Sequence, residues 1–228
     1  MSSVTHSSES DAESASSTES YQRQPSTFVL ARELAMVTET YQGDGANAPV
    51  HALLPSHAGA NRVFFVGTLT VTEDVSRPGN DPYLKAEIVG PTGTFYVYAG
   101  QYQPDAKAFI QDAETPAYVA VTGKPKTFET DDGDTLVRVA PERLSTVASE
   151  DRDRWVVDAA RHTHRRLAVA REGEIAPEAA DALDPALFDT SDDALETVRQ
   201  AAITALEDIT DADAGAAADA EVEAGAND

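Results

Sequence analysis

The chain has 228 residues, 40 of them acidic and 17 basic, with a formal net charge of −23 and no cysteine. This length allows one folded domain with polar extensions, and the missing cysteines exclude a disulfide framework and a thiolate metal site. No apolar run reaches the length of a membrane span, and the Ser- and Glu-rich N-terminus is unlike a secretion signal, so we expect a cytoplasmic protein without membrane contact.

The N-terminal part is predicted to be disordered at first and helical next. Residues 1–26 are mostly Ser, Thr, Glu and Asp, too polar to offset the entropy of ordering, and form a predicted disordered tail. Residues 27–61 are predicted to hold an N-terminal helix between Thr27 and Tyr41, followed by a segment that approaches the next domain. The apolar residues of this helix recur at a loosely helical spacing: Phe28, Leu30, Leu34 and Val37.

Residues 62–147 are predicted to form a β-barrel. Five short segments rich in β-branched and aromatic residues are separated by turn signals: Val63–Val71, Tyr83–Val89, Thr94–Ala99, Ala117–Gly123 and Leu136–Val139. A helix is predicted after the third strand, at Pro104–Glu114, and Gly67 predicts a bulge or bend in the first. This strand order is that of the OB-fold, a five-stranded Greek-key barrel.

Two helical regions are predicted after the barrel. Residues 148–172 hold an arginine-rich helix, Glu150–Glu172, with Trp155, Ala159, His162 and Arg166 along one stripe. Residues 173–210 form an acidic extension with one helix near Ala194–Leu206, and residues 211–228 form a predicted disordered acidic tail. The predicted fold class is mainly β, with flanking α-helices around the barrel and acidic disordered tails.

The arginines of this helix have two possible roles. They either contact nucleic acid or pair with carboxylates of the same helix, and we favour pairing: Glu150, Asp151, Asp153 and Asp158.

The chain lacks the common patterns of catalytic and metal sites. It has no Gly-rich phosphate loop, no nucleophile elbow and no helix with paired metal-binding histidines. His162 and His164 lie two residues apart on a predicted helix and point about 200° away from each other, which is a poor geometry for a shared metal. We therefore expect a protein that is not an enzyme and holds no metal or cofactor.

Aromatic and cationic side chains are predicted to share the outer face of the barrel. If Phe95, Val97 and Ala99 point inward, strand alternation sends their neighbours Tyr96 and Tyr98 outward. Nucleic-acid-binding OB barrels stack bases on such rings and bind phosphates with nearby cations. The candidate nucleic-acid-binding residues are Lys85, Tyr96, Tyr98, Tyr102, Lys124 and Lys126.

Three of these candidates are predicted to lie in loops. Tyr102 follows the third strand, and Lys124 and Lys126 are placed in the loop between the fourth and fifth strands, which often closes over bound strands in this fold. Alternatives stay open for the whole set. The tyrosines can pack under the N-terminal helix or against the arginine-rich helix, and the lysines can simply be solvated.

The balance of charged residues indicates a salt-rich cytoplasm. Only four residues are lysine, whereas carboxylates, which keep a surface hydrated at high salt, are abundant. An ordinary acidic protein is the alternative. Because binding by counterion release weakens steeply with salt, the tyrosines are expected to matter more than the lysines.

Five short blocks between about Arg32 and Leu167 agree in order and spacing with a known pattern: Asn61–Leu69, Pro91–Pro104, Val121–Lys124, Pro141–Glu142 and Arg152–Val157. Together they resemble the haloarchaeal replication protein A-associated protein family. One departure is Gly90, where the family pattern has an aspartate before the turn that begins at Pro91. An aspartate there can cap the turn with its side chain.

The resemblance implies an OB-fold protein that acts with replication protein A, a single-stranded-DNA-binding protein, in DNA replication and repair. Two hypotheses follow. In the first, the protein is an accessory subunit that itself binds single-stranded DNA. In the second, a barrel face or the long helix docks replication protein A, which alone contacts DNA. An RNA- or tRNA-associated barrel is a more distant third.

Overall fold

The structure is a computed structural model that describes residues 25–42, 48–130, 132–172 and 192–225, with side chains described as far as Thr210. Residues 1–24 of the predicted disordered tail over 1–26 lie outside the described residues, as does the part of the acidic extension over 173–191. The strands are β1 Thr27–Phe28, β2 Thr40–Gln42, β3 Val50–Leu53, β4 Gly59–Ala60, β5 Val63–Asp74, β6 Leu84–Gly90, β7 Gly93–Ala99, β8 Ala117–Glu129 and β9 Thr135–Thr146. The helices are α1 Ala31–Ala35, α2 Pro104–Asp112, α3 Ser149–Arg171 and α4 Asp192–Gly225.

Five of these strands close into a barrel. β5 pairs antiparallel with β6 through its C-terminal half and with β8 through its N-terminal half. β6 pairs with β7, β8 pairs with β9, and a parallel contact of Val97 in β7 with Val139 in β9 completes the cylinder. This strand order, with α2 between β7 and β8, is the OB-fold Greek key. The predicted fold class, a mainly β protein with a five-stranded barrel and flanking helices, is confirmed.

Alternating side chains fill the barrel. The rings of Phe65 and Phe95 stack in its interior with their centroids 3.9 Å apart and their planes 10° apart. Aliphatic side chains from every barrel strand surround them: Leu69, Ala86, Ile88, Val97, Val119, Val121 and Val139. α2 packs against β6, β7 and β9 and buries Ala106 and Ile110. The outward alternation predicted for Lys85, Tyr96 and Tyr98 follows from this packing and is confirmed.

The prediction of a helix over Thr27–Tyr41 is wrong in extent. α1 has only five residues, and β1 before it pairs in parallel with β5, with Thr27 opposite Val63. β2, β3 and β4 form a separate three-stranded antiparallel sheet where an approach segment was predicted. The loosely helical spacing of apolar residues is overridden here by pairing with strands that are distant in the sequence.

The β8–β9 hairpin is much longer than predicted. Its ladder runs from Val119 opposite Thr146 to Glu129 opposite Thr135, so Lys124 and Lys126 lie on a strand and not in a loop. Pro125 favours a loop in the sequence, but it lies in the outer half of β8, where β8 pairs with β9 on one side and not with β5 on the other. A proline is tolerated on such an edge because its missing N–H needs no partner on the open side.

Gly67 has a different role from the predicted bulge. The register of β5 shifts between Leu69 and Val71, two residues further on. A Cβ atom at Gly67 would lie 2.7 Å from the backbone oxygen of Val89 and 2.8 Å from Cγ2 of Ile88. The glycine therefore permits the close approach of β5 and β6.

α3 and α4 form an antiparallel pair beside the barrel. Arg152 near the start of α3 pairs with Asp208 at the middle of α4, and Arg171 at the end of α3 lies 3.9 Å from Glu196 early in α4. α3 buries Trp155, Val156 and Ala159 against the barrel side. No helix within the described residues is long and apolar enough to cross a membrane.

The predicted stripe of α3 faces the N-terminal segment. The ring of His162 stacks on Phe28 at 4.6 Å, and Arg166 donates to the fully buried carboxylate of Glu33 at 2.6 Å. Pairing within the helix is confirmed for Arg154 with Asp151 and for Arg161 with Asp158. It is also confirmed for Arg152 with Asp153. Arg152, Arg166 and Arg171 in addition pair with carboxylates of α1 or α4, which the sequence of a single helix cannot indicate.

α4 is longer than the helix predicted near Ala194–Leu206. Its backbone is helical as far as Gly225 and so extends past Asp211, where the composition predicts a disordered tail. The alanines of this region have the highest intrinsic helix propensity, which an argument from polarity leaves out. Side chains after Thr210 lie outside the described residues, and disorder of the tail stays a prediction.

Candidate nucleic-acid interface

A cleft of about 460 Å³ opens on the barrel surface between the β5–β6 loop and the β8–β9 hairpin. We call it the tyrosine cleft, and it is lined by Asn80, Asp81, Pro82, Tyr83, Tyr98, Gly100, Gln101, Tyr102, Gln103, Lys126, Arg138 and Ala140. The loops on either side of this surface are those with which OB barrels hold extended ligands.

Rings and a guanidinium order one wall of the tyrosine cleft. Tyr98 stacks on Tyr83 with ring centroids 5.6 Å apart. The guanidinium carbon of Arg138 lies 5.8 Å from the Tyr98 centroid and 5.4 Å from that of Phe128, and Nη1 donates to the Tyr83 hydroxyl at 2.9 Å. These contacts hold the cation and the tyrosines in place before any ligand arrives.

A second cleft, of about 790 Å³, continues from the first. We call it the cationic cleft, and its lining includes Arg62, Lys124 and Arg143. Four residues line both clefts, so that the two form one groove: Tyr102, Gln103, Lys126 and Ala140. The side chain of Tyr102, 83% exposed, lies where the clefts meet.

Four cations of this groove are not neutralised by neighbours. Among the described residues, no carboxylate lies within 4.0 Å of the charged groups of Lys124, Lys126, Arg138 or Arg143. The carboxylates that line the groove are Asp81, Asp105 and Glu142, and Glu142 is held by Arg62 through two hydrogen bonds, one of them 2.8 Å from Nη2 to Oε1. On a chain of net charge −23 the groove is therefore locally cationic.

The remaining two candidates lie elsewhere. Lys85 and Tyr96 line a third cleft of about 390 Å³ between α1 and the hairpin. Lys85 lies 2.6 Å from Glu87 and 3.8 Å from Glu73, and its hydrogen bond to Glu87 raises the pKa of its ammonium group. Tyr98 lines this cleft as well as the tyrosine cleft. The structure thus brings Tyr98, Tyr102, Lys124 and Lys126 together and leaves Lys85 with carboxylates.

The alternative placements of the tyrosines are partly resolved. Tyr96 is 42% exposed and shares its cleft with Ala31, Leu34 and Ala35 of α1, so it borders the N-terminal helix without being covered by it. The residues that line the tyrosine cleft do not come from α3.

Sequence reasoning missed Tyr83, Arg138, Arg62 and Arg143. Arg138 had one usable signal, since it precedes the inward-facing Val139 and must point outward. Its position opposite Lys126 could not be predicted, because it depends on the register of the β8–β9 hairpin, which the sequence predicted to be too short. Tyr83 lies at the start of the second strand, where outward alternation places it beside Tyr98 only once β6 and β7 are aligned.

The groove offers aromatic faces, hydrogen-bond donors and positive charge. This combination suits an extended anion with planar groups. Among the described residues, no group of three His, Cys, Asp or Glu side chains is arranged to hold a metal ion.

Known proteins resemble this chain only distantly. No family model matches the chain, and no curated protein matches it. Similar solved structures include the mitochondrial single-stranded DNA-binding protein Rim1 of S. cerevisiae, at 16% identity over 38% of this chain and 94% of that chain, with a TM-score of 0.32. The second single-stranded DNA-binding protein of Mycobacterium smegmatis matches at 17% identity over 39% of this chain and 88% of that chain, with a TM-score of 0.33. An OBody bound to hen egg-white lysozyme matches at 16% identity over 41% and 86%, also with a TM-score of 0.33. At such values the fold assignment rests on the strand order and pairing.

Proposed function

We propose that this protein binds single-stranded DNA in the groove formed by the tyrosine cleft and the cationic cleft. The carrying observation is that four cations without a neighbouring carboxylate meet Tyr98 and Tyr102 in one groove of a protein with net charge −23. Single-strand binders combine a positive groove for the backbone with rings on which bases stack.

The exposed rings favour a single strand over a duplex. A ring can stack only on a base whose face is open, and base faces inside a duplex are covered by neighbouring base pairs. Tyr102, with most of its side chain in solvent at the junction of the two clefts, is the best-placed platform for such a base.

We further propose that the protein acts with replication protein A in DNA replication and repair, in a salt-rich cytoplasm and without catalysis of its own. The support for this partner is the resemblance of the sequence blocks between Arg32 and Leu167. A docking module that leaves DNA to its partner is the second candidate. The observation that favours it is an open apolar groove between α3 and α4, which shares no lining residue with the cationic cleft.

The DNA proposal is tested by removing one exposed ring. Binding of a fluorescent dT oligonucleotide of about 16 nucleotides, the upper site size for one OB-fold, is measured by anisotropy in molar KCl. Tyr102→Ala is expected to weaken binding about 5- to 150-fold, because stacking contributes about 1–3 kcal/mol per base. Tyr102 is too exposed for its loss to disturb the barrel.

Tyr118→Ala is the matched control. Tyr118 is an exposed tyrosine, 38% accessible, on the same outer face of β8, about 20 Å from Lys124 at 3.3 Å per residue. It is expected to leave binding unchanged. Equal losses in both variants, or no binding by the unaltered protein, would overturn the proposal.

The partner proposal needs a separate experiment. Purified replication protein A is passed over the immobilised protein in molar KCl, with and without the dT oligonucleotide. Retention without DNA supports a direct contact. Retention only with DNA would mean that the two proteins share a strand without binding each other.

A further inference from the structure

We infer that the groove between α3 and α4 is a docking site for an acidic amphipathic helix of a partner protein. This inference rests on the second candidate function and is independent of DNA contact. The groove has a volume of about 470 Å³, and its lining within the described part of the chain comes from these two helices.

The floor of the groove is apolar. Leu167, Ile203 and Leu206 supply its larger side chains, and three alanines, Ala160, Ala168 and Ala202, keep it shallow enough for a close approach. Leu206 is 41% exposed although it is one of the largest apolar side chains on α4. Contiguous exposed apolar surface of this kind marks an interaction site in soluble proteins.

The shape of the groove fits a helix. Its lining on α3 runs from Val157 to Arg171, about 21 Å at 1.5 Å per residue, or about four helical turns. Because α3 and α4 are antiparallel neighbours, the valley between them follows both helices. A third helix that lays its apolar face in such a valley is a common mode of peptide recognition.

The rim of the groove is cationic. Its charged or titratable lining residues among those described are Arg161, His164, Arg171 and Arg199, and Arg161 is paired with Asp158 of the same helix at 3.1 Å. Arg171 and Arg199 share the single carboxylate of Glu196, so one end keeps an excess of positive charge. Carboxylates beside the apolar face of a partner helix would complement this rim at short range, whereas lysines there would not.

The experiment uses the full chain and synthetic helices as probes. An 18-residue fluorescent peptide carries leucines at positions i, i+3, i+4 and i+7 and glutamates on the rest of its surface. One comparison peptide replaces every glutamate by lysine, and another scrambles the acidic sequence. We expect the acidic peptide to bind at least tenfold more tightly than either, and Leu206→Glu to weaken its binding at least tenfold.

Val169→Glu is the matched control variant. Val169 is 46% exposed on α3 but does not line the groove, so the same change of charge there is expected to leave peptide binding unaltered. Both variants are expected to bind the dT oligonucleotide like the unaltered protein. Failure of peptide binding would therefore not be confused with failure of the DNA proposal.

Several results would overturn the inference. These are equal affinity for the acidic and basic peptides, no effect of Leu206→Glu, or no acidic-peptide binding at all. A dimer in sedimentation that Leu206→Glu dissociates would assign the groove to a second copy. Binding that appears only after residues 173–191 are replaced by a Gly-Ser linker would assign it to this chain itself.

Discussion

At the scale of single residues, Arg138 organises the tyrosine cleft. Its guanidinium lies over the rings of Tyr98 and Phe128, and Nη1 donates to the hydroxyl of Tyr83. Arginine suits this position because its planar group stacks on rings and still donates from its edges, whereas the lysine ammonium is a compact, strongly hydrated charge.

The first prediction concerns this stacked cation. Arg138→Lys keeps the charge but loses the stack and the fixed donor, so affinity for the dT oligonucleotide is expected to fall about tenfold. Arg143→Lys is the control, since within the described part of the chain Arg143 stacks on no ring. Anisotropy titrations measure both variants. Equal affinities would mean that charge alone matters at position 138.

The second prediction concerns a buried ion pair. Glu33 is fully buried and accepts hydrogen bonds from Arg166 at 2.6 Å and from the Ser56 hydroxyl at 3.2 Å. Arg166→Met leaves this carboxylate without its cation and is expected to lower the free energy of unfolding by about 3–5 kcal/mol. Glu33→Leu combined with Arg166→Met is expected to restore most of that loss, because no unpaired buried charge remains.

Denaturant unfolding at constant KCl measures these variants. Arg161→Met removes an exposed partner of Asp158 and is expected to change the unfolding free energy by less than about 1 kcal/mol. A double variant as unstable as Arg166→Met alone would contradict the argument from unpaired charge.

Part of the candidate site was predictable at the residue scale. Strand alternation is a local property, so the outward direction of Tyr96 and Tyr98 follows from the inward direction of Phe95 and Val97. The spatial neighbours of each residue, in contrast, depend on how the strands pair. Lys85 was predicted to bind phosphate, but its strand neighbour Glu87 and the cross-strand Glu73 occupy it.

At the scale of elements, the barrel strands begin within one residue of their predicted starts, and three of them end several residues later than predicted. β5, β8 and β9 extend to Asp74, Glu129 and Thr146 because strand length is set by the pairing partner, whereas polar residues near a strand end resemble a loop. Dependence on pairing partners also explains why the short β1 and the β2–β3–β4 sheet were missed. Their pairing partners lie far away in the chain or in short segments with little periodicity.

The third prediction tests how closely β5 and β6 pack. Gly67→Ala puts a methyl group against the backbone of Val89, and we expect the unfolding free energy to fall by about 1–3 kcal/mol. Val71→Ala, 41% exposed on the same strand, is the control and is expected to cost less than about 0.5 kcal/mol. A fully stable Gly67→Ala protein would show that the two strands can separate without loss.

At the scale of the whole molecule, charge is distributed so that the groove differs from the rest of the surface. The segment from Gly173 to the C-terminus holds 16 acidic residues and one basic residue, Arg199, whereas the groove holds four cations without a neighbouring carboxylate. A small number of cations limits how much counterion release can contribute to DNA binding.

The fourth prediction follows from that number. Single strands give a slope of about −0.7 per neutralised phosphate in log K against log salt, so four cations allow a slope no steeper than about −3. Lys124→Gln is expected to flatten the slope by about 0.7, while Lys107→Gln, a lysine on α2 outside both clefts, leaves it unchanged. Affinity for the dT oligonucleotide over a KCl series measures the slope, and a much steeper value would mean that cations outside the groove also contact DNA.

The pairing of β5 with β8 also determines when the protein can fold during its synthesis. Val63 pairs with Gly123 and Leu69 with Ala117, so the barrel cannot close before β8 has left the ribosome. At about 5–20 residues per second, the roughly 50 residues in between take on the order of 3–10 s to be made. Throughout that interval the apolar N-terminal half of β5 lacks β8, its pairing partner. Contacts between segments this distant in the chain form slowly even after both have been made. The nascent chain is therefore most exposed to aggregation after β5 appears and before β8 is complete.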